Sequence, residues 1–559
     1  MRTVQKSRAL LSPVPQHFAY RALIVPIAAA LLLSACARAA VNPEPTMQPV
    51  QQPPIAVVPL APEVGDSARS DWHRLDYAQD RVLGVGSERA LRELLANRQP
   101  QRRVIVAVID GGIDTAHTML APVLWKNPKE VAGNGRDDDN NGLVDDSFGW
   151  NFTATATGEA VHYDTFEVTR LYAACRGQAA GSGISKPTDA QCETVTRAYG
   201  SKRQEITGTL GQIRSISSTH QMVSAALQQA LGSGPLTSSR VRAYTPTSAQ
   251  LDQAKNIWLQ LDQQGLSTEE LAKALKAYDG QARYGLDTLF NPRSGVSSLG
   301  SRDVTGPDAS HGTHVAGIIG AARGTGRSVQ GIAPNVSIMA VRAVPDGDER
   351  DVDVARAIRY AADEGASIIN MSFGKGFSPN KPVVDSAVRY AESKGVLLVH
   401  AAGNDGANND VTPSFPTNVF DDGSRSSLWI EVGASSWKGL PTLPTSFSNY
   451  GKDRVDLFAP GEDILSTLPG STVGRESGTS MAAPVVSGVA ALLMAYFPEL
   501  TGAQVKDILL QSVRTFPDLN VTPPGGGAPV KFSSLSRTGG VIDAYAAVTL
   551  ALQRTSSRP

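Results

Sequence analysis

Three short motifs place a serine, a histidine and an aspartate where side chains do nucleophilic chemistry. Ser480 lies in Gly478-Thr479-Ser480-Met481-Ala482, directly before a long apolar run, which predicts a helix that begins beside the serine. Backbone N–H groups at such a helix start are unpaired and can stabilise an oxyanion. His311, if neutral, can take the serine proton and return it to a leaving group. Asp110 can orient that imidazole.

The elements around these motifs predict a layered α/β protein. Asp110 ends a dense β-branched run, residues 104–109, which is typical of a buried parallel strand. Further strands are predicted over 336–344, 367–373, 396–400 and 429–433, and helices over 352–364 and 382–394. This alternation indicates a doubly wound, mainly parallel sheet flanked by helices. In such sheets, a carboxylate at a strand's carboxyl end faces the crevice where ligands bind.

Each chemical residue also has an ordinary structural interpretation. Ser480 fits a helix N-cap, and Asp110 fits a turn ahead of two glycines. His311 and His314 could ligate a metal from one helical face, but no glutamate separates them and no third ligand is evident. We favour His314 as a packed histidine. The order Asp, His, Ser, together with the flanking blocks, is far more specific than any one motif.

In that order, the three blocks resemble the signatures of the subtilase family of serine proteases. The resemblance implies a subtilisin-like fold and a serine endopeptidase, with Asp110, His311 and Ser480 as its triad and acyl-enzyme chemistry that needs no cofactor. It further implies that Asn404, in Ala401-Ala402-Gly403-Asn404, donates a hydrogen bond to the oxyanion. The residues implied to bind substrate are Ser372, Phe373, Gly374, Ala402 and Gly403.

Two departures and two rival functions accompany the resemblance. Gly111 stands where the family usually has Ser or Thr, and Thr118 where Pro is common, but neither is a triad position. The main alternative is a catalytically silent subtilase-fold binding module on the cell envelope. An esterase is disfavoured because Gly478-x-Ser480-x-Ala482 lacks the second glycine of the nucleophile elbow.

Asp110 and His311 are 201 positions apart (311 − 110), much further than in compact subtilases. Residues 154–299, between them, carry helical patterns over 217–231, 248–264 and 268–278, and predict a mainly helical insertion. The peptidase domain is therefore predicted to comprise residues 67–153 and 300–553.

The N-terminal 66 residues predict export. A positive segment precedes a 14-residue apolar run, 22–35, which is too short to span a bilayer. Leu33-Ser34-Ala35-Cys36 resembles the lipobox of bacterial lipoproteins, which implies that residues 1–36 are a lipoprotein signal peptide and that Cys36 carries lipid. With Ala37 following, the resemblance also implies an outer-membrane lipoprotein in a Gram-negative cell envelope. The Pro-rich residues 37–66 predict a tether.

Two cysteines remain beyond Cys36. In an oxidising compartment, we expect a disulfide between Cys175 and Cys192, with two buried free thiols as the alternative.

An acidic run suggests a structural calcium ion. Asp137, Asp139, Asn141 and Asp145 match the first part of an EF-type loop, although Phe148 at its twelfth position excludes a complete EF-hand. A solvated acidic turn is the alternative interpretation.

The charge balance limits the class of partner. With 52 Lys and Arg against 53 Asp and Glu, the chain has no basic excess that would indicate nucleic-acid binding. We expect protein or peptide substrates, a membrane contact through the N-terminal lipid, and a monomer.

Overall fold

The computed structural model describes residues 68–155, 157–178, 184–293, 300–324, 326 and 329–556. The predicted signal peptide with Cys36, and the predicted tether, lie outside the described residues.

One sheet organises the molecule. Within the described residues it has nine strands in the order β10-β13-β7-β6-β5-β4-β1-β3-β2, parallel except for the β10–β13 pair. The strands are β1 (Val104–Asp110), β2 (Gly149–Asn151), β3 (Val336–Arg342), β4 (Ile368–Met371), β5 (Leu397–Ala401), β6 (Trp429–Ser435), β7 (Leu457–Pro460), β8 (Ile464–Leu468), β9 (Thr472–Glu476), β10 (Arg514–Thr515), β11 (Asn520–Val521), β12 (Val530–Lys531) and β13 (Gly540–Val541). Strands β8 and β9 form a separate hairpin, as do β11 and β12.

Helices cover both faces of the sheet. They are α1 (Tyr77–Asp80), α2 (Ser87–Arg89), α3 (Glu167–Cys175), α4 (Asp189–Leu231), α5 (Ser238–Ala243), α6 (Ala249–Gln263), α7 (Thr268–Gly280), α8 (Ser310–Gly320), α9 (Asp351–Asp363), α10 (Lys381–Ser393), α11 (Thr479–Tyr496), α12 (Gly502–Gln511) and α13 (Ala544–Ser556). Side chains alternate along a strand, so Val106 and Val108 of β1 enter one core with α8 and α11. Ala107 and Ile109 enter the opposite core with α9 and α10.

The apolar helix α11 is the centre of one core. It is long and hydrophobic enough to cross a membrane, but 94% of it is buried inside the protein. Burial against the sheet therefore accounts for its composition.

Helices α3 to α7 lie between β2 and α8 and have cores of their own. Phe166, Ile206, Leu210 and Tyr278 share one cluster, which Phe377 of the peptidase domain also contacts. Residues 154–299 are thus mainly helical in their described parts and pack against the sheet domain.

The sequence of residues 87–95 predicts a helix with Ser87 as its cap, and the structure differs in detail. Ser87 is the first helical residue, Gly86 precedes it at φ 71°, and Ala90–Leu94 continue as a π-helix. Gly86 takes the left-handed conformation that the turn requires, so the chain enters the helix one residue earlier than the serine pattern predicts.

Candidate active site

The carboxylate of Asp110 and the imidazole of His311 form a hydrogen-bonded pair at the carboxyl end of β1. His311 Nδ1 lies 2.8 Å from Asp110 Oδ1 and 3.0 Å from Oδ2. Because an ionised carboxylate only accepts hydrogen bonds, Nδ1 carries a hydrogen, and Nε2 of the neutral ring is left as a base. Desolvation lowers the pKa of His311, but the Asp110 carboxylate more than offsets this effect and raises the pKa to about 9.

The close approach of α8 to β1 depends on Gly312. A Cβ at this position would lie 2.2 Å from the carbonyl oxygen of Gly112 and 3.1 Å from Asp110 Cβ. A side chain here would push the helix away from the strand and separate Asp110 from His311.

Ser480 is tied to Ser372 by two hydrogen bonds. The position of Pro484 four residues after Ser480 predicts that it lies in the first turn of a helix. It lies instead in the second turn of α11 and has no N–H to bond the carbonyl of Ser480. Ser372 Oγ donates to that carbonyl at 2.9 Å, and Ser480 Oγ donates to the carbonyl of Ser372 at 3.1 Å. In the described part of the chain, no hydrogen bond joins Ser480 Oγ to His311. Because Pro484 offers no N–H, the Ser480 carbonyl accepts instead from Ser372, the residue that follows β4.

Asn404 directs its amide nitrogen away from Thr479. Its Oδ1 accepts from the backbone N–H of Thr479 at 2.8 Å and from the Thr479 hydroxyl at 3.0 Å, which fixes the amide orientation. A Cβ on Gly478 would lie 3.4 Å from Asn404 Nδ2 and 3.6 Å from the backbone nitrogen of Ser480. Two donors therefore border one small volume, which stays open because residue 478 has no side chain. Such a pair can bind an oxyanion.

The five residues implied to bind substrate follow the neighbouring strands β4 and β5. Gly403 adopts φ +110° and donates its N–H to Thr479 Oγ1 at 3.1 Å, next to Asn404. Ala402 is fully buried. A Cβ on Gly374 would lie 2.6 Å from Ser414 Oγ, so any larger residue here would displace that hydroxyl. Phe373 is half-buried, and its carbonyl oxygen contacts His400.

The acidic loop brings together only part of the predicted calcium ligands. Carboxylate oxygens of Asp137, Asp139 and Glu130 lie within 4.8 Å of one another. The side-chain oxygen of Asn141 accepts instead from the N–H of Leu143 at 2.8 Å.

Asp145 lies apart from this cluster. Its carboxylate accepts from the N–H groups of Gly133, Asn134 and Gly135 and pairs with Arg302 at 2.9 Å, so these donors already neutralise it. Sequence spacing placed Asp145 among the ligands and missed Glu130.

Cys175, at the end of α3, and Cys192, in the first turn of α4, are joined in a disulfide. The bond closes a segment of 17 positions within the helical insertion.

Three contributors to the site were not found from the sequence. Thr479 orients the amide of Asn404. Its position directly before Ser480 in the sequence could have identified it as part of the site. His400 and Glu431 form a buried hydrogen-bonded pair behind Phe373. Each is an ionisable residue within a mainly apolar strand, which could have marked them from the sequence.

Comparison with known proteins agrees with this architecture. The model of the subtilase family matches residues 101–523, more than half of the chain. The chain is 44% identical over 185 residues to a thermophilic serine proteinase of Bacillus sp. (strain AK1), covering 33% of this chain and 42% of that protein. It is 38% identical over 232 residues to subtilisin NAT of Bacillus subtilis subsp. natto, covering 41% of this chain and 56% of that protein.

A third relative is matched over more of its own length. The chain is 34% identical over 237 residues to subtilisin BL of Lederbergia lenta, covering 42% of this chain and 82% of that protein. The first two relatives are matched over only about half of their length. The extent of the family match, with the sheet and the arrangement of its signature blocks, shows that this chain belongs to the subtilase family.

Proposed function

We propose that this protein is a serine endopeptidase that cleaves peptide bonds through an acyl-enzyme. The observation that carries the proposal is the Asp110–His311 hydrogen bond of 2.8 Å. It leaves His311 Nε2 as a base, and Ser480 lies in the first turn of α11. The family membership supports the same activity.

In the first half of the reaction, Ser480 Oγ attacks the carbonyl carbon of the substrate and its proton passes to His311 Nε2. Asp110 stabilises the imidazolium that forms. The oxyanion accepts hydrogen bonds from Asn404 Nδ2 and the Ser480 N–H. The C–N bond then breaks, and His311 returns the proton to the leaving amine, which leaves an ester on Ser480.

In the second half, water attacks the ester carbonyl carbon and gives a proton to His311. The C–O bond to Ser480 breaks, and the same proton restores its hydroxyl.

The resting contact of Ser480 changes when substrate binds. Its hydroxyl donates to the carbonyl of Ser372, 3.1 Å away, and must turn towards His311 to react. That turn frees the Ser372 carbonyl to accept an N–H of the substrate. An extended peptide then pairs with residues 372–374 on one side, with Ala402 and Gly403 on the other, in the manner of an added strand.

Labelling and cleavage together test this proposal. A fluorophosphonate probe should label wild-type protein and leave Ser480→Ala unlabelled, and casein cleavage should disappear with the same change. Ser477→Ala is the control, because this neighbouring serine accepts from the N–H of Asp463 and has no proposed chemical role. Casein cleavage that survives Ser480→Ala contradicts the proposal. Casein binding without cleavage by an unlabelled wild type would favour the silent binding module.

We propose that the acidic loop holds a structural Ca²⁺. Glu130 Oε2 is buried with no hydrogen-bond partner, beside the carboxylates of Asp137 and Asp139. Desolvation, with the charges of neighbouring carboxylates, raises the pKa of Glu130. Carboxylate oxygens are the ligands that Ca²⁺ prefers. EGTA should lower the melting temperature of wild type but not of Asp139→Asn; an unchanged wild-type melting temperature contradicts the site.

We also propose export and lipid anchoring at Cys36 in the outer membrane of a Gram-negative cell. The support is the charged start, the apolar run and the Leu-Ser-Ala-Cys motif. Wild-type protein should enter the detergent phase of Triton X-114 and carry an N-terminal diacylglycerol by mass spectrometry, whereas Cys36→Ser should stay in the aqueous phase. A soluble wild type cleaved elsewhere would contradict the anchor.

A further inference from the structure

A buried histidine and a buried glutamate lie on neighbouring strands behind the substrate-binding segment, residues 372–374. His400 of β5 is fully buried, and Glu431 of β6 is 4% exposed. The two residues are register partners in the parallel pair β5–β6. Burial of two ionisable groups is costly unless both are hydrogen-bonded, so their partners define what they do.

The hydrogen bonds of His400 place a hydrogen on its Nε2. Nδ1 lies 2.9 Å from Glu431 Oε1, and Nε2 lies 2.8 Å from the carbonyl oxygen of Phe373. A carbonyl only accepts, so Nε2 must carry a hydrogen, and one further proton is shared between Nδ1 and the carboxyl group. The other oxygen of Glu431 accepts from Trp429 Nε1 at 2.7 Å, which holds the carboxyl group in place.

The bond from His400 sets the orientation of the substrate-binding segment. Carbonyls of successive residues in an extended chain point in opposite directions. With the Phe373 carbonyl drawn towards His400, the Ser372 carbonyl points the other way, where it accepts from Ser480 Oγ at 3.1 Å. Beyond the segment, Lys375 exchanges two backbone hydrogen bonds with Phe415, at 3.0 and 2.8 Å. His400 therefore holds the centre of a strand whose ends are fixed separately.

We infer that His400, whose ring is held by Glu431 so that Nε2–H points at the Phe373 carbonyl, is a positioning residue that presents the Ser372 edge of the segment to the peptide substrate. The inference rests on the proposed peptidase function. It concerns peptide recognition and not the triad chemistry, so its loss should affect substrates that pair with the segment and spare those that do not.

Two substrates separate these effects. A tetrapeptide p-nitroanilide that wild type cleaves pairs with the segment, whereas p-nitrophenyl acetate has no peptide backbone to pair. His400→Leu should lower kcat/KM for the anilide at least about tenfold, through a raised KM, because a buried hydrogen bond to a charged or polarised donor is lost. Hydrolysis of the ester, and fluorophosphonate labelling, should stay within about threefold.

Variants of Glu431 test whether its contact with Nδ1 keeps the His400 ring in place. Glu431→Gln can donate its amide to Nδ1 and still accept from Trp429, so the anilide KM should stay within about threefold of wild type. Glu431→Leu should resemble His400→Leu. Val399→Ala is the matched control, since Val399 is equally buried in β5 but belongs to the opposite core and should leave both substrates unaffected.

An unchanged anilide KM in His400→Leu overturns the inference. So does an equal loss of ester and anilide hydrolysis, which would indicate general structural damage. A wild type that neither takes the label nor hydrolyses the ester refutes the proposed function instead, so the two failures are distinct.

Discussion

Removal of one buried charge should reveal how firmly the helical insertion is joined to the substrate-binding side of the sheet. Glu167 begins α3 of the insertion and is 2% exposed. Its carboxylate accepts from Arg170 at 3.1 and 2.9 Å and from Lys375 Nζ at 2.6 Å. Lys375 directly follows the segment 372–374. Glu167→Gln keeps the shape of the side chain but removes the negative charge that Arg170 and Lys375 share.

The structure sets the magnitude of the effect. Burial alone would raise the pKa of Glu167, but Arg170 and Lys375 more than offset it and lower the pKa from 4.5 to about 2. At roughly 1.4 kcal/mol per pKa unit, this corresponds to about 3 kcal/mol of folding stability. This value agrees with the loss of about 3–5 kcal/mol of folding stability that follows removal of one partner from a buried ion pair.

The pH dependence has a definite sign. Because the folded-state pKa is depressed, the stabilisation is complete above the unfolded pKa of 4.5 and is lost as the pH falls towards 2. The difference in unfolding free energy between wild type and Glu167→Gln should therefore be about 3 kcal/mol at pH 7 and shrink steadily below pH 4.5.

Denaturant unfolding of both proteins at several pH values measures this difference. Glu269→Gln is the control, because Glu269 pairs with Lys273 on the surface of the same insertion at 77% exposure. Glu269→Gln should lower the free energy of unfolding by less than about 1 kcal/mol. A difference for Glu167→Gln below about 1 kcal/mol at pH 7, or one that does not change with pH, would refute the reasoning.

Three further predictions concern the triad, the oxyanion donors and the disulfide. Asn404→Ala should lower kcat by about 10²–10³ with little change in KM, the range known for loss of this donor in subtilisin, and steady-state kinetics that show less than a fivefold loss would contradict its role. Asp110→Asn should lower kcat by about 10⁴. It should also move the rising limb of the pH–rate profile to lower pH, because the carboxylate raises the pKa of His311 and activity needs the neutral ring. A rising limb that does not move would contradict the role of Asp110. Replacement of Cys175 and Cys192 by serine should cost about 3 kcal/mol for a loop of 17 positions, measured by denaturant unfolding, whereas equal stability with and without the bond would contradict it.

The peptidase core could be predicted from the sequence because its signals are local. The strand at 104–109 and the helices at 352–364 and 382–394 appear within one or two residues of their expected bounds. Continuous apolar runs and glycine stops carry this information, since each depends only on nearby residues.

Helix α4 shows where local signals fail. Its second half was predicted from residue 217, but the helix begins at Asp189, with a capping box between Thr188 and Gln191. The first half contains Gly200, Gly208 and Gly211, which lower helix propensity. Burial of Ile206, Leu210 and Ile213 against the rest of the insertion outweighs that preference.

Outside the signature blocks and the cysteine pair, long-range side-chain contacts could not be predicted from the sequence. Glu167 and Lys375 are 208 positions apart. Glu130 joins the acidic cluster from outside the spaced run, whereas Asp145, inside the run, is neutralised by Arg302. No periodicity in the chain marks such partners, because the fold alone brings them together.

The proposed function depends above all on Ser480 as the nucleophile that forms the acyl-enzyme. Intact-mass and peptide mass spectrometry after exposure to a fluorophosphonate tests it directly, with Ser480→Ala and Ser477→Ala beside wild type. We expect one adduct per chain, on Ser480, in wild type and in Ser477→Ala. Ser480→Ala should carry no adduct and should not cleave casein. An adduct on another residue, or cleavage that persists in Ser480→Ala, would contradict it.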